Sequence, residues 1–217
     1  PAYIPEFKKL IGKKDAWKLS AIPNAIKPVH SNIPIEEKDK EIIFVGQKWT
    51  TEKALPKLLK SMGYVQDKLP DWKLTLVGDG PQFGTCRQII AEKKLKRVCL
   101  TGHQMSIPYI DRARILCLTS VIEGLPTVFT EAMSLGVIPI GFDSFNAIYD
   151  MIDDGIDGFI IPDNNYEQYA ETILRLAQND TLRCQIAYKA QKRKNRYDIE
   201  QVGPLWMETF RKHGLIK

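Results

Sequence analysis

The sequence predicts an α/β fold, a doubly wound parallel sheet followed by carboxyl-terminal helices, and three observations predict it. Short apolar or β-branched runs recur up to residue 162, each about a strand long and each ending at a turn signal. Between them lie segments whose apolar residues follow the three-to-four spacing of a half-buried helix, and parallel strands need such crossover helices on both faces of the sheet. After residue 163 the pattern is helical only.

Taken in order, the strand-like runs are KLSAIP (18–23), EIIFVG (41–46), KLTLVG (73–78), RVCLTG (97–102), RILCLTS (114–120), GVIPIGF (136–142) and GFIIP (158–162). Helices are predicted over 52–69 (EKALPKLLKSMGYVQDKL), 84–95 (GTCRQIIAEKKL) and from Thr127 to about Leu135. The tail supplies NNYEQYAETILRLAQN, TLRCQIAYKAQKRKN and IEQVGPLWMETFRKH. No linker divides the chain, and no internal repeat appears. The expected organisation is one domain over 1–217, with a core at about 19–180 and a helical extension at about 181–217.

With 217 residues, 44% of them hydrophobic, the chain is long enough to bury a full core. No run approaches the eighteen apolar residues of a membrane helix, and the first residues (PAYIPEFKKLIGKKDAWKLS) lack the apolar core of a signal peptide. The expectation is therefore a cytoplasmic protein. Cys86, Cys99, Cys117 and Cys184 show no C-x-x-C spacing and read as reduced structural thiols. The net charge is +5, with basic clusters at 8–14, 93–97 and 189–196. These clusters fit solvated faces, or attraction to anionic lipid at the inner face of the membrane or to a phosphate-bearing substrate. Nucleic acid is disfavoured, because no aromatic-basic interleaving accompanies the charge.

In doubly wound sheets ligands bind at the carboxyl ends of the strands. The segments there are QKWTTEK, DGP, HQMS and VIEGLPT, three of them following a strand-closing glycine. The last leads into EGLPTVFTEAMSLG (123–136), where Glu123 and Glu131 flank a Gly124-Leu125-Pro126 turn and seven residues separate them. Pro126 suits the start of a helix. Free N–H groups at Thr127 and Val128 would form an anion site suited to a diphosphate. Glu131, one turn or about 5.4 Å beyond Thr127 on the same face, is well offset to hold a ribose. Its apolar neighbours Val128, Phe129, Ala132 and Met133 imply a half-buried carboxylate. The bland alternative is a solvated strand end and a surface position on an ordinary helix. His30, His103 and His213 have no partner at metal or triad spacing, and neither G-x-S-x-G nor a G-x-x-x-x-G-K-[ST] phosphate loop occurs.

The stretch 123–131 resembles the E-x7-E motif of family-four retaining glycosyltransferases, whose GT-B fold sets two Rossmann-like domains across a cleft. Other pieces fall in family order: IPNAI (22–26), FVGQKWTTEKAL (44–55), LTLVGDGP (74–81) and DGFIIPDNN (157–165). The resemblance covers about residues 19–180 and implies one half of a GT-B fold, the nucleotide-sugar-binding domain. It implies that Glu123 bonds hydroxyls of the donor sugar and Glu131 the ribose. It gives Leu125, Thr127 and Val128 amides the diphosphate, lets Gly46 and the turn at Gly78 pass close to it, and makes Lys53 the cation that offsets charge on the leaving group in place of a metal. His103 and Gln104 fall where the nucleotide base packs. No cofactor or metal is expected, and the expected substrate is a UDP-sugar by family frequency.

Two departures stand out. Gln47 occupies the position after the strand glycine where the family commonly has arginine, with Lys48 beside it, and a lysine lacks the bidentate fork. The loop after GVIPIGFD reads SFNAIYD, where the family carries small residues. Family enzymes run to about twice this length, so the chain is expected to lack the amino-terminal acceptor domain, to bind nucleotide, and to turn over slowly alone. The implied partner is a glycan or lipid-linked acceptor in surface polysaccharide synthesis. The alternatives are another GT-B enzyme, such as a sugar epimerase or phosphorylase, or a non-catalytic nucleotide-sugar sensor.

Overall fold

The computed structural model describes residues 1–26 and 29–216, and the side chains of residues 194 and 195 stand outside that description, so the basic run at 189–196 is described only in part. After a first helix, α1 (Ile4–Ile11), come β1 (Glu41–Lys48), α2 (Leu55–Met62), β2 (Lys73–Asp79), α3 (Phe83–Glu92) and β3 (Val98–Gly102). The chain continues through α4 (Ile107–Arg112), β4 (Ile115–Leu118), α5 (Thr127–Ser134), β5 (Ile138–Asp143), α6 (Ile148–Met151) and β6 (Phe159–Pro162). Helices α7 (Tyr166–Gln178), α8 (Asp180–Arg193) and α9 (Ile199–Lys212) complete it.

The six strands form one sheet in the order β3-β2-β1-β4-β5-β6, with every pairing parallel. This is a Rossmann-like, doubly wound α/β fold. Alternate residues of each strand serve opposite layers. Ile42 and Phe44, Leu74 and Leu76, and Ile115 and Cys117 pack with Leu55, Leu58 and Leu59 of α2 and with Tyr169, Ile173 and Leu176 of α7. Ile43, Leu116 and Leu118 pack on the other face with Phe129, Ala132 and Met133 of α5 and with Ile148 and Met151 of α6. Each such buried aliphatic side chain contributes about 1.5–3 kcal/mol, so covering both faces is what holds the sheet. All four cysteines are free, and burial pushes the Cys117 thiol up to about 12 and Cys86 to about 11, as inert packing residues require.

Several elements differ from the sequence expectation. Residues 18–23 form no strand: Lys18 ends a single 3-10 turn, and among the described residues the one pairing nearby is an isolated bridge between Ile26 and Asp198. The segment stays at the surface: Lys18, Ser20 and Ala21 are exposed, and Leu19, Ile22 and Pro23 are only half-buried, so it has no buried face to hold it in a sheet. Helix α2 is shorter than 52–69. Pro56 lies in its first turn, the only helical place that tolerates a missing N–H without a kink, and Ala54 ahead of it is left-handed at φ 47° and ψ 37°. A 3-10 turn at Gln66–Lys68 follows after Gly63. Helix α3 stops at Glu92, short of residue 95, where Lys94 turns left-handed at φ 50°. Helices α1, α4 and α6 were not legible, and no residue of α1 is buried. Helix α8 belongs to the packed body, with Ile186, Ala187 and Ala190 buried, whereas of α9 only Val202 is, and Trp206 and Met207 are exposed.

Candidate functional site

The chain builds outward from β1 through β2 to β3, then returns to place β4 on the other side of β1. That reversal leaves a crevice between the carboxyl ends of β1 and β4, the position where such sheets bind ligands. A cleft of about 990 Å³ opens there. Its walls are the β1–α2 loop, the ends of β1 and β2, the β3–α4 loop and the amino end of α5.

Thirteen of the residues singled out in the sequence line this cleft together: Gly46, Gln47, Lys48, Lys53, Gly78, His103, Gln104, Glu123, Leu125, Pro126, Thr127, Val128 and Glu131. Gly124 does not, although it is exposed. The cleft also takes in Val45, Thr50, Val77, Met105, Ser106 and Ile107, which pattern reading did not single out. Thr50, Met105, Ser106 and Ile107 had as signal their place in or beside the loops that follow β1 and β3, and Val45 and Val77 their place near the carboxyl ends of β1 and β2.

At the centre, the Lys53 ammonium donates to the Glu123 carboxylate at 2.5 Å. Both are partly screened from solvent, with side chains 31% and 13% exposed. The two residues hang from loops of neighbouring strands, and two contacts tie those loops together. The Val121 N–H donates to the Glu52 carbonyl at 2.8 Å. The buried Thr119 hydroxyl lies 3.1 Å from both the Lys53 and the Ala54 carbonyls. The Tyr3 hydroxyl donates to the Glu123 carbonyl at 2.7 Å from the far side.

Pro126, extended at φ −69° and ψ 100°, caps α5 without a side-chain hydrogen bond. Among the described residues, the N–H groups of Leu125, Thr127 and Val128 make no hydrogen bond, so three donors and the positive end of the helix dipole face the cleft. One turn further along α5, Glu131 faces the same space. Burial holds its carboxyl above the ordinary value of 4.5, and no described side chain pairs with it. A half-buried carboxylate without a partner is an acceptor in wait for a donor.

The rim opposite α5 is basic. Val45 pairs with Val77 and Lys48 with Asp79, so β1 takes three residue steps where β2 takes two, and the extra residue makes a bulge at Gly46-Gln47. Gln47 and Lys48 are both exposed into the cleft, and Lys48 has no carboxylate partner among the described residues. The bulge is possible because two glycines meet: Gly78 stands at φ +124°, and a Cβ on it would lie 1.7 Å from the Gly46 carbonyl oxygen. Among the described residues no group of three or more His, Cys, Asp or Glu side chains could hold a metal ion, and no helix is long and apolar enough to cross a membrane.

A doubly wound sheet whose switch-point cleft combines unpaired helix amides, two lysines and a carboxylate one turn away defines an α/β domain with a cleft whose chemistry suits an anion. Residues 26–193 match the family of glycosyl transferases group 1, and the chain belongs to that family. It is 28% identical over 193 residues to an uncharacterised glycosyltransferase of Haemophilus influenzae, covering 86% of this chain and 52% of that one. Over 180 residues it is 25% identical to an alpha-1,4-N-acetyl-D-galactosaminyltransferase of Campylobacter jejuni acting on an undecaprenol-linked glycan, covering 80% and 48%. Among solved structures it superposes on the pneumococcal O-GlcNAc transferase GtfA in complex with UDP and GlcNAc, with TM-score 0.80 and 21% identity, covering 96% of this chain and 44% of that one. The fold is thus that of one half of a GT-B glycosyltransferase, and the chain spans about half the length of these curated relatives.

Proposed function

We propose that the chain is the donor-binding half of a retaining glycosyltransferase that transfers a hexosyl unit from a UDP-sugar to a glycan or lipid-linked acceptor in surface polysaccharide synthesis. The observation that carries this reading is the Lys53–Glu123 pair set beside the three unpaired amides of α5 and the unpartnered Glu131 in one cleft. The diphosphate sits on the amides of Leu125, Thr127 and Val128, with Lys48 at the opposite rim. The ribose hydroxyls donate to Glu131, the base lies by His103 and Gln104, and the sugar hydroxyls meet Glu123.

During transfer the bond from the anomeric carbon to the diphosphate oxygen breaks, and its electron pair leaves on the diphosphate. The acceptor oxygen forms the new bond on the same face, and its proton passes to the released diphosphate. An ammonium carries three donors, so Lys53 keeps Glu123 on one while offering another to the leaving oxygen. A fixed positive charge there acts where negative charge grows, which lowers the barrier without a metal ion. The acceptor enters from a second, amino-terminal half.

Calorimetric titration with UDP, GDP and ADP and their sugar conjugates, with and without Mg²⁺, tests the reading beside a Glu131→Ala variant. Metal-independent binding of UDP and its conjugate, lost in the variant, is the expected result. A folded chain that binds none of them would sink it. Gln47, which offers no charge where a bidentate cation would grip the diphosphate, favours the second reading, a nucleotide-sugar sensor without turnover; that reading gains if binding occurs but full-length protein transfers nothing.

A further inference from the structure

We propose that Thr119 is a positioning residue of this site: its hydroxyl holds the two carbonyls on either side of the left-handed Ala54 and so sets Lys53 against Glu123. The importance of this for transfer rests on the donor-site reading, whereas the tie itself is independent of it.

Ala54 is the residue at which the β1–α2 loop turns into α2, and it does so at φ 47° and ψ 37°. An L-residue with a Cβ resists that conformation by roughly 1–2 kcal/mol, so something outside the loop must select it. In extended backbone successive carbonyls point to opposite sides, and one donor cannot reach both. In a helical conformation of either hand they point to the same side, so a donor shared by both excludes extended backbone at Ala54. The Thr119 hydroxyl lies 3.1 Å from each, sharing its single proton between the carbonyls of Lys53 and Ala54, and the residue is wholly buried at the end of β4. Both peptide planes that flank the Ala54 Cα are therefore held from one point. The Ala54 carbonyl also accepts the Lys57 N–H at 2.9 Å, which starts α2.

Glu123 lies four residues after Thr119 on the same loop. One hydroxyl directly after β4 thus fixes the backbone under the lysine, and the chain that carries the hydroxyl goes on to carry the carboxylate. Val121, donating to Glu52, is the second tie between the loops, but it holds the chain one residue before Lys53 and leaves Ala54 free to rotate.

The test uses Thr119→Val, close in shape but without the hydroxyl, and Thr119→Ser, which keeps it. UDP and UMP are titrated by calorimetry against both and the parent. Without ligand, the coupling between Lys53 and Glu123 is read from urea unfolding of Lys53→Met, Glu123→Gln and the double variant, in the parent and in the Thr119→Val background. Thr119→Val should weaken UDP about fivefold, the effect of one neutral hydrogen bond, and UMP by less than about twofold, because only the diphosphate reaches Lys53. Thr119→Ser should restore parental affinity, and the coupling should fall in Thr119→Val. Equal weakening of UDP and UMP would mark a mere packing role and overturn the proposal, as would undiminished coupling. If the parent binds no nucleotide, the donor-site reading falls and the coupling alone decides the tie. Should Thr119→Val fail to fold, Thr119→Ala against Thr119→Ser decides it, since equal UDP affinities in those two would refute a role for the hydroxyl.

Discussion

Lys53→Met removes the ammonium and keeps the length of the side chain. The Lys53–Glu123 contact is short, at 2.5 Å, yet Lys53 is 31% exposed. Ion pairs in contact with water contribute about 0–1 kcal/mol to folding. For a chain of 217 residues that moves the melting temperature by no more than about 2–4 °C. Glu123, 13% exposed, keeps some water when left alone, so an uncompensated buried charge does not enlarge the effect much. Binding is a different matter. A charge-assisted hydrogen bond to a diphosphate oxygen contributes about 1.5–3 kcal/mol, which corresponds to a loss of roughly tenfold to 150-fold in affinity. The variant should therefore unfold almost like the parent while its UDP titration weakens by one to two orders of magnitude. Calorimetric unfolding at pH 7 and titration with UDP measure both. A variant that loses more than about 3 kcal/mol of stability and binds UDP as the parent does would show the pair to be a structural brace and refute the reasoning.

Two further substitutions probe the cleft walls. Burial raises the Glu131 carboxyl above its ordinary value of 4.5, so the folded chain binds that proton more tightly than the unfolded chain does. Stability from this group therefore rises as the pH falls toward 4.5, and the ionised form is a burden at pH 7. Glu131→Gln should melt higher than the parent at pH 7, with the gap closing toward pH 5, and should bind UDP at least about tenfold more weakly for want of a charged acceptor; a lower melting temperature at pH 7 would contradict the buried, unpartnered carboxylate. Gly78→Ala would set a Cβ 1.7 Å from the Gly46 carbonyl oxygen at φ +124°, so the bulge must open. Overpacking and backbone strain together come to about 2–5 kcal/mol. Urea unfolding should show a loss in that range together with weakened UDP binding, and a loss under about 1 kcal/mol would mean that the two strands part more easily than their contact implies.

The sheet was legible because its strands obey two rules at once. EIIFVG, KLTLVG and RILCLTS are continuously apolar, as strands covered on both faces must be, and each is followed by a break that a crossover needs. KLSAIP is interrupted by Lys18, Ser20 and Pro23 and forms no strand; none of its residues is buried, so its short apolar alternation lacks the two covered faces that hold the others. The helix limits show the reverse: Pro56 and Gly63 were in plain view, but apolar spacing over 52–69 outweighed them, and the sharp start after Ala54 follows from a left-handed residue that no glycine announces.

The site divides along the same line. Glu123, Pro126, Thr127 and Glu131 lie on one continuous stretch, so their relation is a matter of helix geometry, and a turn of α5 carries it. The pairing of Lys53 with Glu123 spans seventy residues and belongs to topology. It arises because β1 and β4 are neighbours although β2 and β3 come between them in the chain. That arrangement also explains Thr119. A residue just past β4 whose hydroxyl shapes a loop leaving β1 has no signature in its own segment, where it reads as the polar end of an apolar run. The segment that follows β4 supplies the carboxylate and also braces the backbone under the lysine, so the two halves of the ion pair are held by a contact made at the sheet's own switch point. A change of register between β1 and β4, where Ile42 pairs with Ile115, would therefore part Lys53 from Glu123 and Thr119 from Ala54 in one step.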